Sequence, residues 1–140
     1  MSMKTYSGSC HCGAVRFQAE LDFAGGTVKC NCKGCAKARS WLIFTPAAQF
    51  RLLEGEDCQA EYQWTPPGRP RPTVKYHFCK ACGIRTPGRG EIEEMGGVVY
   101  AVQVSLLDDL DPEELAAAPL RYVDGRHDRF DRPPDDVRFL

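Results

Sequence analysis

Cys10-His11-Cys12-Gly13 and Cys79-Lys80-Ala81-Cys82-Gly83 are the stretches whose joint reading decides the fold. A Cys-x-x-Cys followed by glycine is a turn in which backbone N–H groups can approach the thiolate sulfurs. Two such elements closing on one ion make the usual tetrahedral structural zinc. Each half is weak alone. Together they predict a chain folded around a metal, with Cys10, Cys12, Cys79 and Cys82 filling one closed site.

Between them lies Cys30-Asn31-Cys32-Lys33-Gly34-Cys35, three more thiols on one short loop. Four thiolates close a zinc site, whereas three leave a corner for solvent or substrate. Their proximity in sequence places Cys30, Cys32 and Cys35 on a second ion that is open at its fourth position. The remaining cysteine, Cys58 in Gly55-Glu56-Asp57-Cys58-Gln59, is either a small apolar filler or the thiol that closes this middle site. Three thiolates on Zn²⁺ give a net charge of −1 and weaken it as a Lewis acid, so making hydroxide from water suits it poorly. A soft ligand suits it better, and a thiol held there is the nucleophilic thiolate at neutral pH. The open site therefore points to a thiol-bearing substrate.

Outward from the cysteines the chain reads as short strands divided by Gly, Pro and charged turns, at residues 14–19, 27–29, 41–44, 50–53, 60–65, 74–78 and 98–104. The Pro-rich run from Thr65 to Pro72 lacks the N–H groups that a ladder needs and is a loop, and a second loop is expected from Thr86 to Gly97. Two short helices are expected. One lies between Asn31 and Arg39. The other begins at Asp111-Pro112-Glu113-Glu114, with a capping Asp, proline at the first helical position and acidic residues facing the dipole. The tail from Asp124 to Leu140 is expected along the surface with no element of its own. The fold class is mainly β with little helix.

With 140 residues, 43% hydrophobic and 26% charged, the chain has the balance of one globular domain spanning 1–140. A net charge of −1 and a pI near 6.3 count against nucleic acid and anionic membranes as partners. Met1 to Gly8 carry no apolar leader and no later run is long enough to span a bilayer, so the expected location is the cytoplasm. There, reducing conditions keep the eight cysteines free to bind metal.

Gly8-Ser9-Cys10-His11-Cys12-Gly13-Ala14-Val15-Arg16-Phe17, the Cys-x-Cys-x-x-Cys loop and Phe78-Cys79-x-x-Cys82-Gly83 resemble the glutathione-dependent formaldehyde-activating enzyme family, as does the closing Asp124-Gly125-Arg126. The resemblance runs in order along nearly the whole chain. It implies an Mss4-like β-tent of twisted antiparallel sheets and two Zn²⁺ per chain. Carried over by position, it makes Cys10, Cys12, Cys79 and Cys82 structural ligands, and Cys30, Cys32 and Cys35 catalytic ones. The reaction implied joins glutathione and formaldehyde to S-hydroxymethylglutathione, that of a carbon–sulfur lyase run in reverse.

The remaining polar and aromatic residues divide between site and background. His11, between two ligands, is expected to be a hydrogen-bonding partner, while His77 and His127 carry no assigned role. Trp41, Phe44, Tyr62, Trp64, Tyr76 and Phe78 alternate in strands and are expected in the core. Lys33, Lys37 and Arg39 flank the middle loop, and Arg85 and Arg89 follow the third cluster; a ligand with carboxylates would need such groups. The competing function is a zinc-stabilised binding module with both metals structural. Closure of the middle site by Cys58 or a histidine would favour it.

Overall fold

Alternation builds the first sheet in the computed structural model, which describes residues 3–140. In β1 (Lys4–Ser9) and β2 (Arg16–Leu21) the inward positions are Tyr6 and Gly8, then Phe17, Ala19 and Leu21, and the strands pair as an antiparallel hairpin. β5 (Phe50–Glu54) joins the far side of β2, completing three strands in the order β1-β2-β5.

The second sheet takes the rest: β3 (Thr27–Cys30), β4 (Leu42–Pro46), β6 (Gln59–Tyr62), β7 (Val74–Cys79), β8 (Arg85–Ile92), β9 (Gly97–Gln103) and β10 (Leu120–Val123). Its order is β10-β3-β4-β9-β8-β7-β6. All its pairings are antiparallel except β10 with β3, a parallel pair that departs from the expected antiparallel arrangement. The molecule is mainly β, as expected, and among the described residues the two short α-helices are α1 (Lys33–Ala38) and α2 (Pro112–Ala117). Asp111 caps α2, accepting from the Glu113 N–H at 2.9 Å, with Pro112 at the first position as its sequence requires.

The core lies where the sheets face each other. Tyr6, Phe17, Ala19 and Leu21 of the small sheet meet Ile43 and Val102 of the large one, with Val104 and Leu106 from the turn after β9. Phe50 of β5 continues this contact, stacking on Phe17 with centroids 5.6 Å apart and on Tyr100 of β9 at 3.9 Å. Each fully buried aliphatic or aromatic side chain here contributes roughly 1.5–3 kcal/mol.

Three strands escape the sequence reading. β1 and β10 are short and half polar. β8 occupies most of the stretch expected to be a loop, with Pro87 in its middle although the strand lies between β7 and β9. The physical reason is an irregularity in the ladder. Lys75 pairs with Arg89 and His77 with Thr86, so three steps on β8 span two on β7, and Pro87 and Gly88 fall where the register slips, opposite Tyr76. A missing N–H is tolerated there, and the Pro87 carbonyl instead pairs with His77 Nδ1 at 3.1 Å. The tail also differs from expectation. It begins with the nearly inaccessible Asp124 (2% exposed), a single 3₁₀ turn at Gly125–His127 and a bridge between Asp124 and Arg129.

Candidate metal centres

The first centre joins the two sheets. β1 delivers Cys10 and the adjoining turn Cys12, while β7 ends on Cys79 and the next turn carries Cys82. The turns are built alike: Gly13 donates its N–H to the Cys10 carbonyl at 3.2 Å, and Gly83 to that of Cys79 at 2.8 Å. Both glycines have positive φ, 82° and 78°, which a side chain would resist. The four Sγ atoms lie within 4.8 Å of one another, with Cys10 to Cys12 at 3.6 Å and Cys12 to Cys79 at 3.7 Å. Tetrahedral zinc with Zn–S bonds near 2.3 Å needs sulfurs about 3.8 Å apart, so this donor set fits the metal. The Ile84 and Cys12 backbone N–H groups help to lower the Cys82 thiol to about 6, so its thiolate is available near neutral pH.

The second centre is the loop between β3 and α1. Cys30 ends the strand and Cys32 caps the helix, its sulfur accepting from the Cys35 N–H at 3.4 Å; the Cys32 N–H in turn reaches the Cys30 sulfur at 3.4 Å. The three Sγ atoms also lie within 4.8 Å of one another. The neighbouring Cys30 and Cys35, with backbone N–H groups, drive the Cys32 thiol far down, while Cys30, Cys32 and burial push Cys35 up. A soft cation would take all three as thiolates.

What holds this loop is the tail. The Asn31 backbone N–H donates to the Val123 carbonyl, its Nδ2 donates to Asp124 Oδ1 at 2.8 Å, and its Oδ1 accepts from the Arg126 N–H at 2.9 Å. Asp124 is bonded further by His127 Nδ1 at 2.9 Å and by Arg129 Nε and Nη2 at 3.1 and 2.8 Å. Burial opposes its ionisation, but the Asn31, His127 and Arg129 hydrogen bonds prevail and hold its pKa at about 2. Gly125 then passes so close that a Cβ there would sit 2.3 Å from Cys30 Sγ.

The opposite side of the loop is aromatic. The Trp64 indole nitrogen would lie 3.4 Å from a Cβ on Gly34. Arg85 covers the Tyr76 ring at 4.6 Å. Burial, with the charge shared by the Cys35 and Cys32 sulfurs, raises Tyr76 to about 12, so it stays protonated.

The structure brings together both predicted sets of cysteines. Cys58 packs instead beside Cys10, Val15 and Cys79, and its carbonyl accepts from Lys80 N–H at 2.7 Å, so it lies at the four-cysteine centre and not at the middle loop. Among the described residues, no fourth His, Cys, Asp or Glu atom completes the group of Cys30, Cys32 and Cys35. His11 is exposed, and among the described residues its ring makes no hydrogen bond, contrary to expectation. Of the six aromatics expected in the core, only Trp41 packs against it: Tyr62 is 50% exposed, Trp64 flanks the loop at Gly34, Phe44 lines a surface cleft, and Tyr76 and Phe78 are half-buried outside the core clusters. Lys33 and Lys37 are exposed on α1, whereas Arg39 is engaged by the Phe139 carbonyl at 2.8 Å. Sequence reading missed the parts of Asn31 and Asp124; the closing Asp124-Gly125-Arg126 was the one signal for the tail's part. A surface cleft of about 330 Å³ between Thr27, Phe44, Pro119 and Arg121 contains no cysteine and lacks this chemistry. Among the described residues no helix is long and apolar enough to cross a membrane.

The family model described as "Glutathione-dependent formaldehyde-activating enzyme" matches residues 5–123. A crystal structure of a protein from Rhodobacter sphaeroides is similar, with 27% identity and a TM-score of 0.64 over 81% of this chain and 98% of that one. The matched span takes in both cysteine groups and stops at Val123, one residue short of the clamp at Asp124. By that match, with the cysteine geometry it encloses, the chain belongs to the glutathione-dependent formaldehyde-activating enzyme family.

Proposed function

We propose that the chain binds two zinc ions, one structural at Cys10, Cys12, Cys79 and Cys82 and one at Cys30, Cys32 and Cys35 that receives a glutathione-like thiol for addition to a small aldehyde. The reaction is carbon–sulfur bond formation, as for an S-hydroxymethylglutathione synthase. The observation that carries it is the inequality of the two groups: four thiols gather at one and three at the other, with Cys58 placed away from the open one. When bound there, the ion would hold the substrate sulfur as a thiolate at neutral pH. The chain's own part is to fix the loop through Asn31 and Asp124 and to set the Trp64 ring beside Gly34. Membership of the family supports glutathione as the thiol. The cytoplasm, where that thiol is abundant, remains the proposed location.

Calorimetric titration of the zinc-loaded protein with glutathione and with S-methylglutathione tests it. Glutathione binds and the S-methyl compound binds at least about tenfold more weakly, because it cannot supply a thiolate. Equal binding of the two, or none, returns the chain to the alternative, a zinc-stabilised module with both metals structural.

A further inference from the structure

The proline-rich run from Thr65 to Pro72 supplies no cysteine, yet its backbone places one side chain with care. Pro67 is followed by Gly68 at a φ of 80°, and the Arg69 N–H closes the turn on the Pro66 carbonyl at 3.1 Å. Pro66, Pro67, Pro70 and Pro72 stiffen the chain on both sides of Arg69. Its guanidinium bonds Asp128 Oδ1 through Nη2 and lies 5.9 Å from the centre of the Phe130 ring. Phe130 and Cys30 both border Gly125, where a Cβ would lie 3.3 Å from Phe130 Cε1 and 2.3 Å from Cys30 Sγ. One aromatic ring thus connects the guanidinium to the three-cysteine loop. The loop's other flank, at Gly34, meets Trp64, the residue that leads into the same proline-rich run.

Other guanidiniums at the loop are committed. Arg126 Nε donates to the Asn31 carbonyl at 3.1 Å, and Arg129 is held by Asp124, whose buried carboxylate would be left short of a partner if it let go. Arg69 and Asp128 are instead 37% and 68% exposed, and an ion pair that open to water contributes little. Another carboxylate can therefore replace Asp128 at small cost, on a guanidinium whose planar fork suits two-point binding of that group. We infer that Arg69 is a specificity-determining residue: it exchanges Asp128 for a carboxylate of the incoming thiol and so favours thiols that carry carboxylates over uncharged ones. This rests on the thiol reading above. Three thiolates with Zn²⁺ leave the loop net negative, which disfavours an anionic ligand unless a cation meets it. A tripeptide with its sulfur among Cys30, Cys32 and Cys35 extends each carboxylate one or two residues away, roughly 3.5–7 Å of chain, along the Phe130 ring toward that cation.

The zinc-loaded protein is titrated calorimetrically with glutathione, with glutathione diethyl ester, which keeps the thiol and loses both carboxylates, and with 2-mercaptoethanol. Wild type favours glutathione over the ester by about tenfold, the scale of one charge-assisted hydrogen bond. Arg69→Gln keeps its zinc and its affinity for the ester and for 2-mercaptoethanol, but binds glutathione and the ester within about twofold of each other. A preference that survives in Arg69→Gln overturns the inference, as does a wild type that binds these thiols without preference. Asp128→Asn, tolerated because asparagine accepts the φ of 58° found there, frees the guanidinium. It tightens glutathione by about threefold and leaves the ester unchanged. Should Arg69→Gln lose zinc, glutathione binding that is unchanged or weaker in Asp128→Asn overturns the inference. A wild type that binds 2-mercaptoethanol but not glutathione overturns it while the thiol reading stands, and one that binds no thiol sinks both.

Discussion

Single atoms decide whether the three-cysteine loop can form. Gly125 shows this most sharply, since a methyl group there would meet Cys30 Sγ at 2.3 Å and Cys32 Cβ at 3.4 Å. Gly125→Ala therefore leaves a folded protein with about one zinc fewer, lost from the middle loop, which metal analysis on the purified variant reads directly. Retention of both ions would show that the loop does not rest on that backbone. Cys58 behaves oppositely. It packs half-buried beside Cys10 and Cys79 but stands outside the group of four, so Cys58→Ala keeps the full metal content and costs about 1–2 kcal/mol by chemical denaturation. Loss of an equivalent of zinc would make it a ligand. At Tyr6, burial and the Glu114 carboxylate, 2.6 Å away, raise the phenol above its ordinary 10.0. A group whose folded pKa is raised contributes stability that is complete below pH 10 and is lost as the pH climbs beyond it. The thermal midpoint of the wild type thus falls more steeply above pH 10 than that of Tyr6→Phe, and parallel curves would show that this phenol does not govern the alkaline limb.

At the scale of elements, the two cysteine turns and the tail illustrate what sequence can and cannot say. The turns were legible because Cys-x-Cys-Gly and Cys-x-x-Cys-Gly carry their geometry in residue type: a glycine at positive φ and sulfurs within reach of backbone N–H. The helix at Pro112 was legible for the same kind of reason. β8 was not, because Pro87, Gly88 and Gly90 speak for a loop when read locally, and only the slipped pairing with β7 makes a place for them. β1 and β10 each bury only a few side chains, so their place comes from partners distant in sequence. The clamp was hidden likewise: Asp124 and Asn31 stand 93 positions apart, and nothing in their neighbours says that they bond. Asp124→Ala should release the loop while sparing the four-cysteine centre, lowering affinity for the second zinc by about 10- to 100-fold as the supporting partners of metal ligands usually do. Unchanged retention of both ions on titration with a zinc chelator would deny the tail that role.

For the molecule as a whole, the proposed reading divides the labour of folding and binding between the two centres. Cys12 and Cys79 lie 67 positions apart, and an ion held there would tie the hairpin of the small sheet to β7, next to the edge strand β6 of the large one. Structural zinc supplies on the order of 10 kcal/mol of apparent binding free energy, comparable to the stability of an entire domain. Cys79→Ser should accordingly give unfolded or insoluble chain, whereas Cys32→Ser, in a loop that closes on itself, should give folded protein short of about one zinc. Equal damage from both would contradict the division. The most direct test of the central claim, an open three-sulfur zinc that accepts a thiol, is zinc X-ray absorption on the doubly loaded protein with and without glutathione. One closed and one open centre predict an average near 3.5 sulfurs per zinc that rises to about 4 when glutathione binds and stays near 3.5 with S-methylglutathione. About 4 sulfurs before any thiol is added, or no change on adding glutathione, would contradict it.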